Sequence, residues 1–303
     1  MKQNDMIIRC ITTDGSMTAM AIDSTNMVYT AQQIHNCSPT AAAALGRLLT
    51  ATAMMGDLLK GENSSVTLRV NGGGPVGTMI AISDSHGNCR ASISYPDAEV
   101  PPKANGKLDV GALVGRNGRL DVFKDFGSGQ PYSGQINLVS GEIAEDVTEY
   151  YARSEQTPTV CALGVLTDRE NHQVLLAGGL LIQLLPTAED SVIPKLEKNL
   201  ETLEPVTTMM AKGMSLEEIC RKALDGFEVE VLDDATVRYA CTCSKEKVKA
   251  AIAMLSPKEI RDLPNETGWA EASCHYCNRK YRISTEELEE LAVQRENSRK
   301  NKR

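Results

Sequence analysis

Aromatic residues are scarce in this chain. Three Phe, eight Tyr and one Trp make up 4% of its 303 residues. A packed core must therefore be built from Leu, Val, Ile, Ala and Met, which an apolar content of 42% allows. Long hydrophobic runs are missing too. The longest, Val174 to Leu185, includes Gln183 and is too short to span a bilayer. The opening MKQNDMIIRC lacks the apolar segment of a secretory leader. These absences point to a soluble, cytoplasmic protein with no membrane partner. There is no G-x-x-x-x-G-K-[ST] phosphate loop, since NGGGP at 71–75 lacks the lysine. Basic charge is short everywhere except at the end. The net charge is −8, and residues 291–303 alone carry five basic side chains against one acidic, so the body is more acidic still. An acidic body argues against a general nucleic-acid binder, which needs clustered Lys and Arg. The basic tail, 294–303, reads as a solvated, frayed end.

What the chain does have is cysteine in pairs. Cys241 and Cys243 form a C-x-C in YACTCSKE, and Cys274 and Cys277 a C-x-x-C in SCHYCNRK. In a reducing compartment such spacing points to metal or redox chemistry rather than a disulfide framework. Four thiols are what a closed tetrahedral zinc site needs, so one Zn2+ per chain is expected. The knuckle requires a residue tolerant of positive φ near its second cysteine, and Asn278 supplies one. His275, inside the knuckle, is a rival ligand expected to point outward. Two readings stay open at this point. The site can be a plain structural staple, or a switch. Zinc contributes ~10–16 kcal/mol of folding free energy in small zinc peptides, and thiolates are what oxidants attack, so oxidation would release the metal and most of that stability. The other cysteines, at 10, 37, 89, 161 and 220, have no motif spacing and read as small apolar residues.

The pattern along the chain is α+β. SSVTLRV (64–70) and VGTMIAIS (76–83) alternate around NGGGP as a hairpin, and NCRASISY (88–95) extends it to an antiparallel meander. Ser38 and Pro39 open a helix that should end near Gly61. GEIAEDVTEYYARSE (141–155) is a second helix, with Ile143, Val147 and Tyr150 or Tyr151 on one face. VCALGVL and VLLAGGLLIQLLP read as buried strands, with a bulge at Gly178 and Gly179. The resulting division is an N-terminal α+β domain over 1–180 with its sheet packed on helices, a helical linker over 181–233 and a small zinc domain over 234–293. The linker is acidic and made of short helices. Val192, Leu196, Leu200 and Leu203 share a stripe, TTMMAKGM is Met-rich, and SLEE at 215–218 is a capping box. Helices this short are marginal alone, so the linker must dock on something and is a candidate conditional element. In the zinc domain, Ser244, SPKE (256–259) and STEE (284–287) start three helices. Few large apolar residues are available there, and a metal is the natural staple.

YACTCSKEKV, LSPKEI and ASCHYCNRKY, together with LVGRNGRLDV (113–122), YSGQINLVSGEIAEDVTEYYARSEQTPT (132–159) and AGGLLIQLLP (177–186), resemble the redox-regulated chaperonin family of the thirty-three-kilodalton heat-shock protein. The resemblance covers nearly the whole chain. One departure is Asn278, where the family often has Gly. The resemblance implies an ATP-independent holdase, not an enzyme. Its reduced, zinc-bound form would be an inactive monomer with Cys241, Cys243, Cys274 and Cys277 as ligands. Oxidation would form disulfides Cys241–Cys243 and Cys274–Cys277, unfold linker and zinc domain, and give a homodimer that holds unfolding client proteins. Leu196, Leu200, Met209, Met210 and Met214 are then the linker and client-binding candidates, methionine surfaces being adaptable.

Two other classes compete. A zinc-ribbon nucleic-acid binder would use the basic tail, against the acidic body. A hydrolase would use SDSHGNC (83–89), but catalytic groups meet in space rather than within seven residues, and such polar runs are usually turns.

Overall fold

A computed structural model describes residues 5–265 and 268–300, with side chains through 297. The chain divides into two compact units, the first ending at Ala240 and the second starting at Cys241.

The first unit is mixed α+β. Its strands are β1 (Asp5–Thr12), β2 (Met17–Asp23), β3 (Ser65–Asn71), β4 (Met79–Asp84), β5 (Asn88–Ile93), β6 (Arg119–Asp125), β7 (Tyr132–Asn137), β8 (Thr159–Thr167), β9 (Val174–Leu184) and β10 (Val229–Tyr239). They form one sheet in the order β7-β6-β3-β4-β5-β10-β1-β2-β9-β8. Every pairing is antiparallel except β5 with β10, a parallel contact of two residue pairs, Arg238 with Asn88 and Tyr239 with Cys89. That short bridge joins two antiparallel half-sheets. The meander expected over 64–95 is β3-β4-β5.

Helices α1 (Thr25–His35), α2 (Pro39–Asp57), α3 (Val110–Val114) and α4 (Ala144–Tyr150) accompany the sheet. Ser38 caps α2, its Oγ accepting from Ala41 N, with Pro39 in the first turn. Nearly all of α2 is buried, which its small Ala and Gly residues permit. It ends at Asp57, short of Gly61, which takes φ +115° in the following turn. After α4 the chain makes a π-helical turn, Tyr151–Glu155, and both Tyr150 and Tyr151 are buried, where one was expected.

Helices α5 (Val192–Glu201), α6 (Val206–Ala211) and α7 (Leu216–Ala223) follow β9. They dock on the half-sheet β10-β1-β2-β9-β8, on the face opposite α2. Alternation along the strands shows this. Met20, Ile22 and Leu181 pack with α2, whereas Ala19, Ala21, Leu180 and Ile182 pack with Leu196, Val206, Met209 and Ile219. A strand covered on both faces reads as a continuous apolar run, and that is why β9 does. Strands straddle the boundaries read from the sequence at 180/181 and 233/234: β9 runs to Leu184, and β10 returns to the sheet beside β1. No bulge lies at Gly178 and Gly179, which stay in register with both neighbours. The irregularity of β8–β9 falls at Leu166/Thr167 instead.

The second unit has helices α8 (Lys245–Ile252), α9 (Pro257–Arg261) and α10 (Thr285–Lys300), and a hairpin of β11 (Trp269–Ser273) and β12 (Lys280–Ser284). Ser244, Ser256 and Ser284 cap the three helices as expected. Among the described residues only Ile260, Ala270, Ile283, Leu288, Leu291 and Ala292 form its buried apolar core. Val248 and Ile252 pack against that core, while Leu255 is exposed. The frayed tail expected from 294 is instead helical through Lys300, and Arg261 joins Glu289 and Glu296 on it. Residues 301–303 lie outside the described residues.

Candidate metal centre

The knuckle is the turn between β11 and β12. Asn278 N donates to Cys274 O and Cys274 N to Arg279 O, both at 2.9 Å. Asn278 has φ +55°, the left-handed conformation its position required. The other pair lies in the irregular segment just before α8. Lys247 Nζ donates to Thr242 O at 2.7 Å and pins the residue between the cysteines.

All four Sγ atoms lie within 4.8 Å of one another, a grouping that does not include the exposed His275. Cys241 Sγ is 3.6 Å from Cys274 Sγ, and Cys243 Sγ 3.4 Å from Cys277 Sγ. A tetrahedron with Zn–S bonds of about 2.3 Å has edges of about 3.8 Å. The four thiols therefore fit one tetrahedral cation. The environment charges them unequally. Burial pushes the Cys241 thiol up to about 12 and raises Cys277. Burial also acts to raise Cys243, but hydrogen bonds from Tyr281 and the other cysteines outweigh it and bring that thiol down to about 7. Clustered thiols cannot all ionise without a cation, and a divalent metal removes that limit. Tyr281, whose Oη donates to Cys243 Sγ at 3.0 Å, is the functional residue the motif reading passed over. Its signal was its place in β12, just beyond the knuckle.

The linker candidates lie elsewhere, in the first unit. Leu196 and Met209 are buried under α5 and α6, and Leu200, Met210 and Met214 pack around them. In this docked arrangement the methionines fill core. The isolated cysteines behave as structural residues: burial pushes Cys37 and Cys89 up to about 12, Cys10 and Cys220 are buried, and Cys161 is half-buried. SDSHGNC is the β4–β5 turn. Asp84 Oδ1 accepts from His86 N and Asn88 N, each at 2.9 Å, so its carboxylate is committed to the turn. Among the described residues no helix is long and apolar enough to cross a membrane.

A family model described as Hsp33 protein matches residues 5–284. The 33 kDa chaperonin of Clostridioides difficile (strain 630) is 44% identical over 287 residues, covering 95% of this chain and 98% of the relative. That of Geobacillus sp. (strain WCH70) is 42% identical over 288 residues, covering 95% and 97%. The crystal structure of the 33 kDa chaperonin (heat shock protein 33 homolog) from Thermotoga maritima superposes with a TM-score of 0.87 at 32% identity, covering 97% of this chain and all of that one.

Proposed function

The chain belongs to the Hsp33 family, and from that premise we propose that it is an ATP-independent holdase chaperone, switched on by oxidation of the four-cysteine centre. The relatives are chaperones by name, and no catalytic role is proposed. The observation that carries the reading is the meeting of four thiols within 4.8 Å in a unit with six buried apolar side chains among its described residues. So small a core leaves the unit dependent on its staple.

Bound zinc would hold all four sulfurs as thiolates and supply most of the unit's folding free energy. Cys241, Cys243, Cys274 and Cys277 are the ligands in the reduced, inactive monomer. Hydrogen peroxide would oxidise two of these thiolates to one disulfide: the sulfurs give up two electrons, the O–O bond breaks, two protons are taken from solvent, and two waters form as the metal is released. Sulfur contacts of 3.6 and 3.4 Å run between the two pairs in the folded centre, and the family resemblance assigns the disulfides within each pair once the unit loosens. The products are Cys241–Cys243 and Cys274–Cys277. The linker helices, short and held by packing rather than by their own stability, undock next and expose Leu196, Leu200, Met209, Met210 and Met214. Unfolding client proteins bind that surface, and the active form is a homodimer in the cytoplasm.

Light scattering from a heat-unfolded client tests this, with the protein reduced and zinc-loaded, then treated with peroxide at unfolding temperature while released zinc is read in parallel. Aggregation should be suppressed only after oxidation, in step with zinc loss. Zinc loss without suppression leaves a purely structural site.

A further inference from the structure

Two sequence motifs have no part in the switch, NGGGP at 71–75 and GRNG at 115–118. The fold brings them together. Asn117 N donates to Gly72 O at 2.9 Å and Gly74 N to Val114 O at 3.0 Å. The approach is close enough to exclude side chains: a Cβ on Gly118 would fall 1.8 Å from Asn71 O, and one on Gly72 2.3 Å from Gly115 O. Asn71 braces its own loop, its Oδ1 accepting from Gly73 N and its Nδ2 donating to Thr78 Oγ1. The two loops therefore form one rigid frame.

Beside this frame lies a cavity of about 580 Å3 on the outer face of β3, β6 and β7. Register builds it. Asn71, Arg119 and Asn137 form one row across the three strands, and Arg69 lies opposite Asp121 in the next. Arg116 enters from the GRNG loop. Leu68, Val70, Leu120, Val122 and Ile136 alternate with these residues and are buried in the core, which fixes the strands beneath. Arg119 Nε pairs with Asp121 Oδ1 at 3.0 Å. Arg69 and Arg116 have no hydrogen bond or ion pair among the described residues. Three guanidinium groups thus face one carboxylate, on a protein whose net charge is −8.

We propose that this cavity is an anion site for a linked-phosphate group, a pyrophosphate moiety either free or carried by a nucleotide. Guanidinium matches phosphoryl oxygens in bidentate geometry. Exposed charges are screened, so a small monoanion touching one arginine gains little. Two linked phosphoryl groups can engage Arg69 and Arg116 together. The site is independent of the cysteine centre and of the chaperone reading.

Calorimetric titration of the full reduced, zinc-loaded chain with inorganic pyrophosphate tests it, with ADP titrated in parallel. Saturable one-site binding that weakens as salt rises is expected. Arg69→Ala with Arg116→Ala should weaken it about tenfold or more, as the loss of charge-assisted hydrogen bonds predicts. Asp121→Asn should tighten it by freeing Arg119. ADP binding as tightly as pyrophosphate assigns the moiety to a nucleotide, and ADP failing where pyrophosphate binds assigns it to the free ion. Both arginines are exposed, so an unchanged melting temperature verifies that the double variant is folded. No saturable binding of either ligand at millimolar concentration, or equal binding by the folded double variant, overturns the proposal.

Discussion

The sulfur of Met210 occupies the space a side chain on Gly178 would take. A Cβ built on that glycine falls 2.6 Å from Met210 Sδ. One strand over, a Cβ on Gly164, which pairs with Gly178, would fall 2.8 Å from Thr207 Cγ2. Gly164 of β8 and Gly178 of β9 are thus seats for α6, and the docking of the linker depends on their bareness.

Gly164→Ala should therefore loosen the linker, because the three atoms nearest the added methyl all belong to Thr207. Overpacking of this kind costs about 1–3 kcal/mol. Hydrogen exchange over 192–223 should rise while α2 stays protected. Equal protection of the linker in variant and parent would refute the seating.

Leu196→Asp places a charge in the buried contact between α5 and the sheet. The reduced, zinc-loaded variant should suppress client aggregation without oxidant. If it stays inactive when reduced, the linker is not the gate.

Cys241→Ser removes one of four ligands. Zinc affinity measured against a chromophoric chelator should drop, and exchange should quicken over 241–297 with residues 5–180 unaffected. An undiminished affinity would remove Cys241 from the centre.

Tyr281→Phe keeps the ring and deletes the hydroxyl that donates to Cys243 Sγ. In metal-free protein the Cys243 thiol should rise from about 7, and its alkylation at neutral pH should slow severalfold. An unchanged rate would mean that the other cysteines alone hold it down.

His35 is buried, and desolvation holds its pKa below the usual 6.5 while Nε2–H donates to Ala91 O at 2.9 Å. A histidine with a depressed folded pKa takes up its proton more readily when unfolded. Its contribution is present above about 6.5 and is lost as pH falls through the folded value. Urea unfolding at pH 7.5 and 5.5 should show the change from neutral to acid pH less favourable to the parent than to His35→Gln, the difference isolating His35 from Asp5, whose raised pKa of about 6 acts the other way.

Local grammar made much of this legible. Ser38-Pro39, the boxes at Ser215 and Ser256, and the β3–β4 hairpin depend on residues within a few positions of one another, as do the two cysteine pairs. The helix α1 escaped notice because its N-terminus is satisfied from a distance. Ser24 makes no side-chain cap, and Asp5 on β1 accepts from Asn26 N and Met27 N instead. The strand β10 was divided between linker and zinc domain because Asp233 and Asp234 interrupt its apolar alternation. Its partners on β1 lie more than two hundred residues earlier, where Arg9 meets Asp233. Gly178 and Gly179 read as a bulge because what they accommodate comes from helices distant in the chain, Met210 of α6 against Gly178 and Thr50 and Met54 of α2 against Gly179.

The strands on either side of the linker are both built into the same sheet, β9 between β2 and β8 and β10 between β1 and β5. The linker is thus an excursion staked at both ends. When it lifts, its helices cannot diffuse away, and re-docking is a unimolecular event at high effective concentration. On the proposed reading, a chain arranged this way is reset from a half-opened state without refolding the sheet, so that release of a held client and recovery of the resting form become one and the same motion.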